Sequence, residues 1–84
     1  MARLLYFASL REKVNSEQEQ LELPQDVIRV DQLKGLLARR GGSWGEAFTA
    51  SSALLVSVNQ QMANDQSSIQ NTDEIAFFPP VTGG

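Results

Sequence analysis

The chain has no cysteine and no histidine. Without cysteine there is no disulfide, no thiolate metal site and no thiol nucleophile. Without histidine the commonest general base and the commonest metal ligand are missing. With both gone, neither a Ser-His-Asp nor a Cys-His catalytic set can be assembled. No apolar run approaches the roughly 20 residues that cross a bilayer. The start, Met1-Ala2-Arg3-Leu4-Leu5-Tyr6-Phe7, lacks the long apolar region and small-residue cleavage site of a secretion signal. These absences give the expectation of a cytoplasmic protein with no membrane partner. Basic runs are missing too. Seven basic residues stand against ten acidic ones, for a net charge of −3, which argues against nucleic acid as a partner. Gly41-Gly42 is not followed by Lys-Ser/Thr, so no phosphate-cradling loop is present. The four Asp and six Glu fall mostly in loops and on polar strand faces, where solvated surface is their ordinary state. Nothing here equips the chain to be a self-contained enzyme.

What is present fits one small domain. Its 84 residues allow a single modest core. Residues 3–7 are rich in apolar and aromatic side chains and read as a strand. Alternation puts Ala2, Leu4 and Tyr6 on one face and Arg3, Leu5 and Phe7 on the other, with Arg3 marking the more exposed side. Ser9 followed by Glu12 has the spacing of a capping box, so a short helix is expected from Ser9. Residues 18–23 alternate again, with Leu21 and Leu23 on one side, and Pro24 ends the strand. Val30, Leu33, Leu36 and Leu37 recur at helical spacing, which predicts the main helix over residues 30–40. Asp31 falls in its first turn and Arg39 and Arg40 in its last, and Gly41-Gly42 stops it. Gly35 costs about 1 kcal/mol against alanine inside a helix and suggests close packing on a sheet.

Trp44 and Phe48 read as aromatic plugs for the core. Residues 54–58 are a strand with Leu54, Val56 and Val58 on one face. Asn59-Gln60 makes a turn into a short strand at 61–63, and 64–73 is loop. Residues 74–78 form the last strand, with Ile75 and Phe77 inward and Glu74, Ala76 and Phe78 outward. Strands gathered around one main helix indicate an α+β domain with the helix over one sheet face. Pairing the first strand with the last at the centre of a mixed sheet gives a ubiquitin-like β-grasp. On this reading residues 1–80 are the domain and 81–84 are a tail.

The end of the chain is the part that points to function. Phe77-Phe78 closes a strand, and Pro79-Pro80 ends it because proline has no N–H and a fixed φ. Val81-Thr82-Gly83-Gly84 follows. Four residues beyond Pro80 reach at most about 13–14 Å, enough to enter a partner's pocket. Glycine at the end offers no Cβ to hinder attack on the terminal carbonyl. A carboxylate is a poor electrophile, but an ATP-using partner can make the Gly84 carboxylate an acyl-adenylate, and a sulfur donor can then leave a thiocarboxylate. Phe7 and Phe78 lie on outward faces and Met62 follows the Asn59 turn. The three make either one apolar docking patch at the tail root or a second small core. Arg11 and the Arg39-Arg40 pair can meet acidic groups of a partner, although solvated surface charge is their default reading.

Three stretches resemble the small subunit of molybdopterin synthase, the MoaD family: Leu4-Leu5-Tyr6-Phe7-Ala8 with Arg11-Glu12, Val56 through Val58-Asn59-Gln60, and above all Asp73-Glu74-Ile75-Ala76-Phe77-Phe78-Pro79-Pro80-Val81-Thr82-Gly83-Gly84. The likeness departs between Glu46 and Ala53, and at Arg29, where a helix N-cap Ser or Thr is more usual. The resemblance implies a β-grasp sulfur carrier that binds no cofactor of its own. An E1-like, MoeB-like enzyme would use ATP to adenylate Gly84, which is then thiocarboxylated, with Gly83 giving clearance. The sulfur would pass to cyclic pyranopterin monophosphate inside a large, MoaE-like subunit, in a heterotetramer whose catalytic acid and base belong to that subunit. The family's docking face falls on Phe7, Met62, Phe78, Pro79, Pro80, Val81 and Thr82, which favours the patch over the second core. The alternatives are a β-grasp carrier for thiamine synthesis or tRNA thiolation, a ubiquitin-like modifier that acylates lysine, and an interaction module with an idle tail.

Overall fold

The computed structural model describes residues 1–49 and 53–80. Five strands and three helices follow the order β1 (Ala2–Tyr6), α1 (Ala8–Val14), β2 (Gln18–Leu21), α2 (Val30–Ala38), α3 (Gly42–Ala47), β3 (Leu55–Val58), β4 (Gln61–Ala63) and β5 (Glu74–Phe78). They make one mixed sheet in the order β2-β1-β5-β3-β4. The last strand therefore lies at the centre, parallel to β1 and antiparallel to β3. Register pairs Tyr6 with Phe77, and Phe77 with Val56.

The alternation seen in the sequence sets the two sheet faces. Ala2, Leu4, Tyr6, Ile75, Phe77 and Val56 are buried on the helix-covered side. Val30, Leu33 and Leu37 of α2 complete that core, with Leu10 and Val14 of α1 and Phe48 after α3. Ala76 points to the other face yet is buried as well. It is a small residue in the middle strand, flanked by Leu5 on β1 and Ser57 on β3.

The helices depart from the sequence expectation in three places. Ser9 does not cap α1, which begins at Ala8 with Phe7 as its uncapped N-terminal residue. The sheet decides this. The Phe7 N–H donates to the Phe77 carbonyl at 3.1 Å while the Phe7 carbonyl accepts from Arg11 at 3.3 Å, so the chain must turn immediately after Phe7. Ala8 takes that turn at φ +55°, a left-handed value that costs a non-glycine residue about 1 kcal/mol. Secondly, α2 ends at Ala38, leaving Arg39 as its cap and Arg40 beyond it. Gly41 and Gly42 then take φ of +78° and +54° and lead directly into α3. Thirdly, Gly35 is not closely packed: a Cβ built there meets nothing within 4 Å. It lies on a groove with Pro24, Asp26, Val27 and Leu36.

Arg29 is less anomalous than its sequence position suggests. Its guanidinium cannot accept a hydrogen bond, but its neighbours can. Gln32 Oε1 accepts from the Ile28 and Arg29 backbone N–H groups at 2.8 and 3.0 Å. Asp31 Oδ1 accepts from the Gln32 N–H at 2.9 Å and from Arg29 Nε at 3.0 Å. The guanidinium contact is the main reason the Asp31 carboxyl sits below the usual carboxylate range.

Candidate functional site at the root of the C-terminal tail

The chain leaves the sheet from β5, which is held on both sides. Phe77 is its inner anchor. Its ring stacks on Tyr6 at 6.4 Å between centroids and meets Phe48 edge-on at 5.2 Å. Trp44 extends the cluster, edge-on to Tyr6 at 5.2 Å and stacked on Phe48 at 5.9 Å. The expected aromatic plug is thus formed, and it clamps the strand from which the tail departs.

The Tyr6 hydroxyl, at the edge of this cluster, donates to Glu19 Oε1 at 2.6 Å. The same carboxylate receives the Arg40 guanidinium through two bonds, at 2.8 and 3.2 Å. Arg40 also lies 4.4 Å over the Trp44 ring. Burial pushes the Tyr6 phenol well above its ordinary value, and the hydrogen bond to Glu19 and its charge push it further. The network ties β2 to the end of α2 and to α3. Arg11 pairs with Glu17 at 3.8 Å. Of the arginines singled out in the sequence, only Arg39 has no ion pair among the described residues.

At the far end of β5 a second polar lock fixes the β3–β4 turn. Asn59 and Gln60 both have positive φ, 52° and 68°, as the tight hairpin turn requires. Asn59 Nδ2 donates to Asp73 Oδ1 at 2.9 Å and Asn59 Oδ1 accepts from the Glu74 N–H at 3.0 Å. The buried Asp73 carboxylate also accepts from the Gln70 N–H at 2.8 Å.

On the outer face the sheet register brings the predicted apolar residues together in rows. Phe7 and Phe78 touch edge-to-face at 6.4 Å, and Leu55 is the partner of Phe78 on β3. The next row runs Leu5, Ala76, Ser57, Met62 across four strands. Phe7 is 47% exposed and Met62 65%, so no second core covers them. Phe78 and Pro79 are half-buried and Pro80 is exposed. Leu5 and Leu55 belong to this face although the sequence reading did not single them out. For Leu5 the signal was there, since it alternates onto the side of Phe7, but Leu55 joins Phe78 only through the β3–β5 register. Val81, Thr82, Gly83 and Gly84 lie outside the described residues.

A cleft of about 260 Å³ opens beside the root, with Pro79, Leu10, Ala47 and Leu54 as apolar walls and Ser9, Lys13 and Glu46 as polar ones. Among the described residues no group of three or more Asp and Glu is placed to hold a metal ion. No helix among them is long and apolar enough to cross a membrane. The site has an anchored strand and an exposed apolar face, and the charged pair at the cleft beside them is Lys13 with Glu46, 3.2 Å apart.

A mixed five-stranded sheet with the C-terminal strand central, grasping one main helix, defines a ubiquitin-like β-grasp protein. The chain belongs to the ThiS family, whose model it matches over residues 4–84. It is 40% identical over 84 residues, covering the whole of both chains, to the molybdopterin synthase sulfur carrier subunit of Haemophilus influenzae. To the protein of that name from Escherichia coli it is 36% identical, again over all of both chains. In solved structures the fold recurs in the complex of subunits 1 and 2 of molybdopterin-converting factor from Helicobacter pylori. The match has a TM-score of 0.63 at 17% identity and covers 99% of this chain and 97% of that one.

Proposed function

We propose that this chain is the sulfur-carrier subunit of a molybdopterin synthase. The end-to-end match to two relatives bearing that name carries the reading. The geometry supports it: a rigid β5 presents the tail root beside an apolar face, and the chain has no cysteine or histidine on which to hold sulfur. Sulfur chemistry must then rest on the Gly84 carboxylate. An E1-like enzyme and ATP convert it to an acyl-adenylate. A sulfur donor attacks the carbonyl, the bond to AMP breaks, and a thiocarboxylate remains. Gly83 leaves the stem narrow enough for a channel. In the large subunit the thiocarboxylate gives its sulfur to cyclic pyranopterin monophosphate, and the acid and base that move protons belong to that subunit. Phe7, Phe78, Met62, Leu5 and Leu55 form the docking face, and residues 79–82 thread the tail inward. That a structural neighbour is a complex of subunits 1 and 2 supports the large-subunit partner.

Intact mass spectrometry tests this directly. Incubation with an E1-like enzyme, ATP and a sulfur donor is expected to exchange one oxygen for sulfur at Gly84, and deletion of Gly84 to abolish the exchange while the fold is retained. No shift under conditions that modify a relative of the same name would refute the carrier role. Lysine-linked adducts on other proteins in place of the thiocarboxylate would identify a modifier. Sulfur passing to a thiamine precursor or a tRNA, and not to the pterin, would identify another pathway.

A further inference from the structure

The side-chain sulfur of this chain is all thioether: there is no cysteine, and there are two methionines, Met1 and Met62. Both are well exposed, at 69% and 65%. Their places differ. Met1 stands ahead of β1, four residues from Leu5 and so roughly 13 Å from it along the strand. Met62 lies within the outer apolar face. It pairs with Ser57 on β3, Ser57 with Ala76 on β5, and Ala76 with Leu5 on β1. Its neighbour Ala63 turns inward and packs against the core, which sets Met62 outward. β4 is a three-residue strand at the edge of the sheet, so among the described residues no further strand shields the sulfur. An exposed thioether is open to two-electron oxidants, and the sulfoxide is a polar group in a place that contact with a partner would bury.

We propose that Met62 is a peroxide-sensitive modification site, and that its oxidation to the sulfoxide releases the carrier from its large subunit. This rests on the docking face put forward above. In the step, a lone pair of the Met62 sulfur attacks one oxygen of a hydroperoxide. The S–O bond forms and the O–O bond breaks. The second oxygen leaves with the electron pair and takes up a proton, as water when the oxidant is hydrogen peroxide. Sulfur is oxidised by two electrons and the peroxide reduced by two. The sulfoxide oxygen is a strong acceptor in a row whose other members are Leu5, Ala76 and a single hydroxyl, Ser57. Covering it with an apolar partner surface removes its water and returns little, so docking weakens. A thiol-dependent sulfoxide reductase reverses the change: two thiols become a disulfide, and the oxygen leaves as water. The coupling is reciprocal, so a bound large subunit protects the sulfur by as much as the sulfoxide opposes binding. Sulfur delivery thus stops when peroxide rises and resumes when reducing thiols return.

The test treats the full chain alone with hydrogen peroxide, removes the oxidant, and locates each added oxygen by peptide mass mapping. One oxygen at residue 62 is expected, with a native circular dichroism spectrum. Titration calorimetry against the large subunit should then show binding weaker by about tenfold or more. Incubation with a methionine sulfoxide reductase and dithiothreitol should restore it. Met62→Leu is compared only with itself, and peroxide should leave its affinity where it was. In the assembled complex, residue 62 should oxidise about tenfold more slowly than in the free carrier. A Met62 that stays unoxidised in the free carrier overturns the proposal. So does unchanged affinity with residue 62 fully oxidised, an equal loss in peroxide-treated Met62→Leu, or one oxidation rate for free and bound carrier. A Phe78→Asp variant separates this from the docking reading. If that variant binds weakly and the sulfoxide form binds natively, only the role of Met62 falls. If both bind natively, the docking face falls with it.

Discussion

Tyr6 is the residue on which the inner face of the site depends most. Its ring touches Trp44, Phe48 and Phe77, and its hydroxyl is bonded to a carboxylate that also holds Arg40. Tyr6→Phe keeps the ring and removes a hydrogen bond to a charged acceptor, so urea denaturation at neutral pH should show a loss of about 2 kcal/mol. The pH dependence has a fixed sign. Folding raises the phenol's pKa, so above about 10 the unfolded chain gives up a proton that the folded one keeps. The contribution is complete below about pH 10 and is lost as pH rises beyond it. Wild-type stability should fall in that alkaline range, and the Tyr6→Phe variant should fall less steeply. Phe78 makes a different demand. It is half-buried on the outer face against Phe7, so Phe78→Asp should leave the circular dichroism spectrum native. Titration calorimetry with the large subunit should show at least tenfold weaker binding, about 1.4 kcal/mol. Native affinity in a folded variant would remove the docking face from the proposal.

Among the elements, α2 holds the clearest inefficiency. Gly35 sits within it, and a Cβ there meets nothing within 4 Å. Gly35→Ala should therefore raise stability by about 1 kcal/mol, read as a higher urea midpoint with an unchanged slope. The sequence showed where the elements lie wherever a period was strong. Alternation in residues 2–7 and 74–78 fixed both the strands and the faces, and the 3.6-residue spacing of Val30, Leu33 and Leu37 fixed the helix. It misplaced ends wherever tertiary contacts overrode local chemistry. Ser9-Glu12 has a capping spacing, but the Phe7–Phe77 hydrogen bond starts α1 before serine can act. Arg29 looked wrong as a cap because its replacement is shared between Asp31 and Gln32, which no spacing rule reveals. The outer apolar face was partly legible: alternation marked Phe7, Leu5 and Phe78, but membership of Leu55 needs the cross-strand register.

At the scale of the whole molecule, adjacent residues divide the labour. Phe77 is fully buried among Tyr6, Phe48 and Val56, and Phe78 faces outward. Truncation of a buried phenylalanine costs about 3–5 kcal/mol, a large share of the 5–15 kcal/mol that stabilises a domain. Phe77→Ala should thus lose activity by unfolding, seen as a collapsed thermal transition, where Phe78→Asp loses it by failing to bind.

The central position of β5 also bears on how the protein is made. Until residues 74–78 emerge from the ribosome, β1–β2 and β3–β4 are two separate hairpins whose facing edges have nothing to pair with. The sheet joins only when the strand next to the tail is inserted between them. A nascent chain that stops before that strand has no completed sheet and is open to proteolysis. Truncation ahead of β5 should therefore give fragments cleaved faster than the full chain in pulse proteolysis, whereas truncation after Pro80 should leave the rate unchanged.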